Sequence, residues 1–287
     1  MCSPLVLARV QAALDRRAFV GAGMAMTATL AAAGLGARGV SARQATPAAT
    51  PVGRSVIAGY ANVVDLTHTA SPTFPVYPGT GQMEMVVQNS YEADGYYSNR
   101  LTLNEHTGTH VDAPAHFFSD GATADLIPVE RLIAPLVIID ISARAAGDPD
   151  AQLTPDDILA WEMANGALPG GSFVAMYSGW ERRLADPDTY VNVDSGGVQH
   201  YPGIHPDAAV LLVNERDIVG IGVDTLSQDF GASTDFATHV AILGAGKYGV
   251  ENVANLGSVP PAGGMVIVGG PKHLAASGGP ARVLALF

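Results

Sequence analysis

His106-Thr107-Gly108-Thr109-His110-Val111-Asp112-Ala113-Pro114-Ala115-His116 holds more metal-ligand chemistry than any other stretch of this 287-residue chain. Four polar side chains stand at 106, 110, 112 and 116. An extended backbone, with its period of two, sends all four to one face. A helix scatters them: at roughly 100° per residue His106 and His110 share a side while Asp112 and His116 turn away, and Gly108 and Pro114 suit a helix interior poorly. The spacing therefore predicts an extended segment, with Gly108 on the same face leaving room for an ion or a substrate. A single histidine in a polar loop is ordinary surface. Three histidines and an aspartate at strand spacing suit Zn²⁺, with Mn²⁺ and Fe²⁺ as alternatives, because neutral nitrogen and anionic oxygen donors satisfy such cations.

Around this segment strands and helices alternate. Asn62–Thr67 reads as a strand, Met83–Gln88 and Ser98–Asn104 as a strand pair leading into the histidines, and Pro128–Leu132 as the start of a short helix. Ala134–Ile141 is a continuous apolar run of the kind buried on both faces. Thr154-Pro155-Asp156-Asp157 supplies an N-cap, a proline at the first helical position and acids in the first turn, predicting a helix to about Ala164. Ser172–Tyr177, Ile218–Val223, Met265–Val268 and Arg282–Leu286 read as strands, and His205–Leu212 and Asp235–Leu243 as helices. No repeat, GxGxxG or P-loop interrupts the series, so the expectation is one mixed α/β domain over residues 58–287.

An apolar content of 48% is ample for a core, and a formal net charge of -12 without a Lys/Arg cluster excludes nucleic acid as a partner. The N-terminus differs in kind. Arg16-Arg17-Ala18-Phe19 precedes an uncharged Ala/Gly/Thr/Met-rich run from Gly21 to Gly36, and Val40-Ser41-Ala42 offers a small-residue exit. Residues 1–42 therefore read as a signal peptide resembling the twin-arginine type, implying an exported protein, periplasmic or extracellular. The run is too poor in Leu and Ile for a comfortable membrane span, so no stable membrane insertion is expected after processing. Residues 43–57, rich in Pro, Thr and Ala, read as a flexible linker. Cys2 is the only cysteine and lies within the signal, so the exported chain has no disulfide and any metal ligands are His, Asp or Glu.

His106-Thr-Gly-Thr-His110-Val-Asp112-Ala-Pro114-Ala-His116-Phe117 resembles the signature of the metal-dependent cyclase family, which includes bacterial kynurenine formamidases and isatin hydrolases. The resemblance continues through Asp65-Leu66-Thr67-His68, Ser178-Gly179-Trp180, Gly222–Asp229, His239, Glu251–Leu256, Pro271-Lys272-His273 and Ser277–Arg282. It implies a swivelling β/β/α fold, homodimers or homotetramers, and one or two divalent metals per chain, Zn or Mn. By position, His106, His110 and Asp112 would bind one metal, Asp112 would bridge, and His239 with Glu251 would complete a second site; spacing alone does not bring those last two residues together.

The chemistry implied is hydrolysis of a small amide-type C–N bond, in an aryl-formamide or a cyclic amide. His116 is not required as a ligand in this scheme and is assigned as proton shuttle, its ordinary pKa near neutrality suiting it to take and return a proton. Asp224, Ser227 and Asp229 are candidates for orienting the ligands, and Phe74, Tyr77 and Trp180 for an aromatic wall; His200, His205 and His273 read as surface or capping residues. Two alternatives stand beside the hydrolase: a cyclase or dehydratase of a polyketide-like substrate, and an exported metal-containing binding protein without turnover.

Overall fold

The computed structural model describes residues 59–287, so the expected signal peptide and linker lie outside the described residues. Thirteen strands are formed: β1 (Val63–Asp65), β2 (Glu84–Asn89), β3 (Ser98–Thr102), β4 (His110–Asp112), β5 (Ile133–Asp140), β6 (Gln152–Leu153), β7 (Ser172–Tyr177), β8 (Gly203–Ile204), β9 (Ile218–Val223), β10 (Tyr248–Glu251), β11 (Gly264–Gly269), β12 (Gly278–Pro280) and β13 (Arg282–Leu286). Nine of them make one sheet in the order β1-β13-β11-β5-β7-β9-β10-β4-β12. Its centre, β5-β7-β9-β10, is parallel, and both flanks are antiparallel. The mixed α/β expectation holds, with a single sheet carrying the layers.

The apolar run of β5 explains why the centre is buried on both sides. Leu136 and Ile138 pack with Phe173, Ala175 and Val250, while Val137 and Ile139 pack with Val174 and Met176 beneath the helices. Those helices are α1 (Pro155–Asn165), α2 (Pro206–Glu215) and α3 (Ala237–Gly244). They contribute Ile158, Trp161, Leu212 and Ile242 to the second cluster. The start of α1 is tied as its sequence predicts, with the Thr154 N–H donating to Asp157 Oδ2 at 2.8 Å. At α2 the His205 side chain accepts from the Asp207 N–H, the capping role expected of it. The strands β2 and β3 form a separate two-stranded ribbon whose Met85, Val86, Val87 and Leu101 are about half exposed.

The extended reading of residues 106–116 holds only at its centre. The strand covers His110–Asp112 alone. Before it, Gly108 adopts φ 68°, a left-handed turn open to glycine at little cost, and reverses the chain so that His106 returns towards Asp112. After it, Pro114–His116 is a 3₁₀ turn, as suits a proline that sets φ near the helical value. The four polar side chains reach one place by a turn, a strand and a helical turn in succession. Gly108 serves through its backbone conformation, and it also lines the cleft where the sequence reading expected it to leave room.

Candidate metal centre

Strand pairing brings the two halves of the chain together. β10 runs antiparallel to β4 with Glu251 opposite His110 and Gly249 opposite Asp112. Directly opposed residues share a face of the sheet, so His110, Asp112 and Glu251 project to the same side. α3 packs beside β10 and supplies His239. His110, Asp112, His239 and Glu251 are buried, and His106 is partly exposed.

Each histidine has one nitrogen occupied by an orienting partner and the other turned to the carboxylates. His110 Nδ1 lies 2.8 Å from the Gly108 carbonyl and donates to it. Its Nε2 has no hydrogen-bond partner and stands 3.3 Å from Asp112 Oδ1 and 3.4 Å from Glu251 Oε2. His239 Nδ1 lies 2.6 Å from Asp229 Oδ2, leaving Nε2 at 3.1 Å from Glu251 Oε1 and 3.4 Å from Asp112 Oδ2. His106 is turned the other way round: Nε2 meets Ser277 Oγ at 3.0 Å, and Nδ1 meets Asp112 Oδ1 at 2.7 Å. Ser277 Oγ in turn donates to Glu105 Oε2 at 2.5 Å, which leaves it an acceptor towards His106.

These residues fit a divalent cation. His106, His110 and Asp112 form one group, and Asp112, His239 and Glu251 another, with ligand atoms within 4.8 Å of one another in each. Two ligands roughly 2.1 Å from a common ion at a tetrahedral angle lie roughly 3.4 Å apart, close to the separations around His110 and His239. Electrostatics point the same way. Burial opposes charge on His110, but Asp112 and Glu251 overcome it and raise its pKa to about 10. His239 is likewise held well above the ordinary imidazole value: burial opposes the charge, and its contacts with Asp112, Asp229 and Glu251 prevail. Asp112, despite its burial, is held well below the usual carboxylate range by the surrounding histidines. Two buried carboxylates thus demand positive charge at this point, from protons or from a metal.

His116 stacks on His106 with ring centroids 3.9 Å apart and stands 6.0 Å from the His239 ring. Protein packed around the ring pushes its pKa down to about 4, with His106 and His239 adding to the shift and Asp112 opposing it. Its surface is open to the cleft; solvent there softens the shift without reversing it, so the ring is neutral at pH 7.

Above the buried donors lies a cleft of about 410 Å³, lined by His106, His116, His239 and Glu251 at its floor and by Tyr77, Phe117 and Phe236 on its walls. Of the aromatics read from the sequence only Tyr77 takes part. Trp180 is buried, its indole N–H donating to the Tyr190 carbonyl at 2.8 Å, and Phe74 packs between His68 and Tyr190. Phe117, stacked on His239 at 4.8 Å, and Phe236 take their place. Phe117 adjoins His116 in the sequence, which was the available signal; Phe236 had none.

The candidate orienting residues divide. Asp229 holds His239 and also accepts from the Thr238 N–H at 2.8 Å, so one carboxylate fixes both the start of α3 and the imidazole on it. Ser227 lines the cleft, and its hydroxyl accepts from the Asp229 N–H. Asp224 faces away, accepting from the Ser178 and Trp180 N–H groups and the Ser178 hydroxyl. Asn252 was not foreseen: its side-chain N–H donates to the Gly108 carbonyl at 3.0 Å, and its own carbonyl accepts from Thr109. His200 pairs with Asp150 on the surface.

Residues 64–230 match the sequence pattern of the family described as "Putative cyclase". The chain is 35% identical over 260 residues to an isatin hydrolase of Roseibium aggregatum, covering 84% of this chain and 98% of that one. It is 28% identical over 201 residues to a kynurenine formamidase of Salinibacter ruber, covering 69% and 85% respectively. Among solved structures, isatin hydrolase A of Ralstonia solanacearum superposes with a TM-score of 0.75 at 36% identity, over 78% of this chain and 91% of that one.

Proposed function

Starting from a chain that belongs to the cyclase family, we propose that this metal-dependent hydrolase of small, non-peptide amide C–N bonds opens a cyclic aryl amide of the isatin type. The observation that carries the reading is the convergence of His106, His110, Asp112, His239 and Glu251 beneath a cleft with aromatic walls. The similarity to an isatin hydrolase is higher and covers more of the chain than that to a kynurenine formamidase, which favours the ring amide over the open formamide.

His106, His110 and Asp112 would hold one divalent ion, Zn or Mn, and Asp112, His239 and Glu251 a second, with Asp112 the bridge. When bound, such an ion supplies Lewis acidity, polarising an amide carbonyl and lowering the pKa of a water from 15.7 to about 7. The chain's own residues do the rest. Tyr77, Phe117 and Phe236 take the flat ring and keep bulk water from it. His116, neutral and open to the cleft, accepts a proton from the attacking water as the new C–O bond forms. It returns that proton to the leaving nitrogen as the C–N bond breaks. Glu251 and Asp112, each accepting a hydrogen bond from Gln228, are held in place through the exchange.

Export through the twin-arginine route belongs to the same proposal, supported by Arg16-Arg17 and the uncharged run after them. So does self-association, supported by the β2–β3 ribbon: a two-stranded ribbon alone is marginal in water, and this one exposes Met85, Val86, Val87 and Leu101. Among the described residues no helix is long and apolar enough to cross a membrane. The test is an assay of the zinc- or manganese-loaded protein against isatin and an aryl-formamide. Ring opening of isatin with the higher kcat/KM is expected; hydrolysis of neither substrate class overturns the reading.

A further inference from the structure

We infer that Gln228 is a positioning residue that holds both carboxylates of the metal centre at once, and that the missing side chain of Gly249 is what seats it. The inference rests on the metal reading above and names a residue outside the ligand set.

Gly249 stands opposite Asp112 in the β4–β10 ladder. A side chain at 249 would project beside the Asp112 carboxylate, on the same face. Gln228 fills that place: a Cβ built on Gly249 would overlap its carboxamide nitrogen. From there Gln228 Nε2 donates to Asp112 Oδ2 at 2.7 Å. The main-chain N–H of the same residue donates to Glu251 Oε1 at 2.9 Å. One residue on the loop after β9 therefore fixes a carboxylate on β4 and another on β10.

The other end of the side chain shows what it is there for. Gln228 is fully buried, yet its Oε1 has no hydrogen-bond partner. A buried carbonyl left unmade costs stability, and an apolar side chain of similar length would fill the space without that cost. What only the glutamine offers is the N–H aimed at Asp112. On the other flank Gly278 stands opposite Asp112 on β12, where a Cβ would collide first with the Val111 carbonyl and would also press on His106 Cε1 at 2.9 Å. Each Asp112 oxygen thus has its own partner, His106 on Oδ1 and Gln228 on Oδ2, and the absence of a side chain at Gly249 makes the place for the second.

The experiment titrates the chelator-stripped mature protein with Zn²⁺ against a chromophoric competitor, for wild type, Gln228→Met and Gly249→Ala. Gln228→Met keeps the volume and removes the donor. Gly249→Ala touches no ligand and displaces the carboxamide. Both are expected to weaken zinc binding by roughly 10–100-fold, and to shift the visible spectrum of the cobalt-loaded protein, which a purely structural role would leave unchanged. Wild-type zinc affinity and an unaltered cobalt spectrum in either folded variant overturn the inference. A wild type that takes up no divalent ion overturns the metal reading instead. The clamp is then judged by hydrogen exchange of the Gln228 carboxamide in the metal-free protein: slow exchange supports it, and exchange at the rate of an exposed glutamine overturns it.

Discussion

Asp229→Asn separates an orienting carboxylate from a mere helix cap. Asp229 accepts three hydrogen bonds, from the Thr238 N–H at 2.8 Å, the His239 N–H at 3.2 Å and His239 Nδ1 at 2.6 Å. All three donors are buried, and they approach through both carboxylate oxygens. An asparagine has one acceptor end, so whichever way it turns, its NH₂ faces a donor. A lost buried bond of this kind costs about 1–3 kcal/mol, which in a domain of this size is about 2–4 °C of melting temperature for each kcal/mol. The second effect is on His239, whose Nε2 is aimed at Asp112 and Glu251 only while Nδ1 is held. Loss of such a partner weakens metal binding by roughly 10–100-fold. The measurements are thermal unfolding of the stripped protein and a zinc competition titration of each form. A variant that melts lower yet binds zinc within threefold of wild type would show that Asp229 caps α3 and does nothing for the imidazole, refuting the reasoning.

Further outcomes follow from the same geometry. His116→Ala retains its metal and loses about 10²–10⁴-fold in kcat; full turnover with metal retained rules out the shuttle. Chelation lowers the melting temperature and Zn²⁺ restores it, by about 4 kcal/mol of stability at a thousandfold excess over Kd; an unchanged melting curve removes the cation from the fold's stabilisation. Tyr190→Phe costs about 1–3 kcal/mol, because the Asn252 side-chain oxygen Oδ1 loses its 2.8 Å bond in a buried site. Burial also holds the Tyr190 phenol well above its ordinary value of 10.0. The unfolded chain therefore ionises first, and the contribution of Tyr190 is full below pH 10 and is lost as pH rises beyond it; Tyr190→Phe should flatten alkaline unfolding measured by circular dichroism. Asp157 is held below the ordinary carboxylate value: burial opposes this, and the Arg144 bond outweighs it. That contribution is present above about pH 4 and fades as pH falls, so Arg144→Ala should move acid unfolding to higher pH, and no movement refutes the pairing.

What the sequence disclosed depended on how local each signal was. Ser172–Tyr177, Ile218–Val223 and Arg282–Leu286 were legible to the residue because apolar runs bounded by glycine or polar residues admit little else. Tyr248–Glu251 was not read as a strand: it is four residues long with a glycine inside, and its extended form is imposed by β9 on one side and β4 on the other. That pairing places Glu251 against His110, which no local pattern encodes. His106 and His116 were picked out for a face they do not share; the turn at Gly108 and the 3₁₀ turn after Pro114 bring them in by other routes. Trp180 and Phe74 drew notice as large aromatics, but the packing around Tyr190 claimed both. Gln228, an unremarked amide between a serine and an aspartate, acquires meaning only when Gly249 is placed opposite Asp112.

The antiparallel contact between β4 and β10 also sets an order of events in biogenesis. Its two strands lie more than a hundred residues apart in the chain, a non-local pairing of the kind that forms slowly. A chain emerging from the ribosome can offer His106, His110 and Asp112 early, but Glu251 and the docked α3 join them only when the last third has been made. On the proposed ligand set, high-affinity capture of an ion would report that both halves of the site have come together.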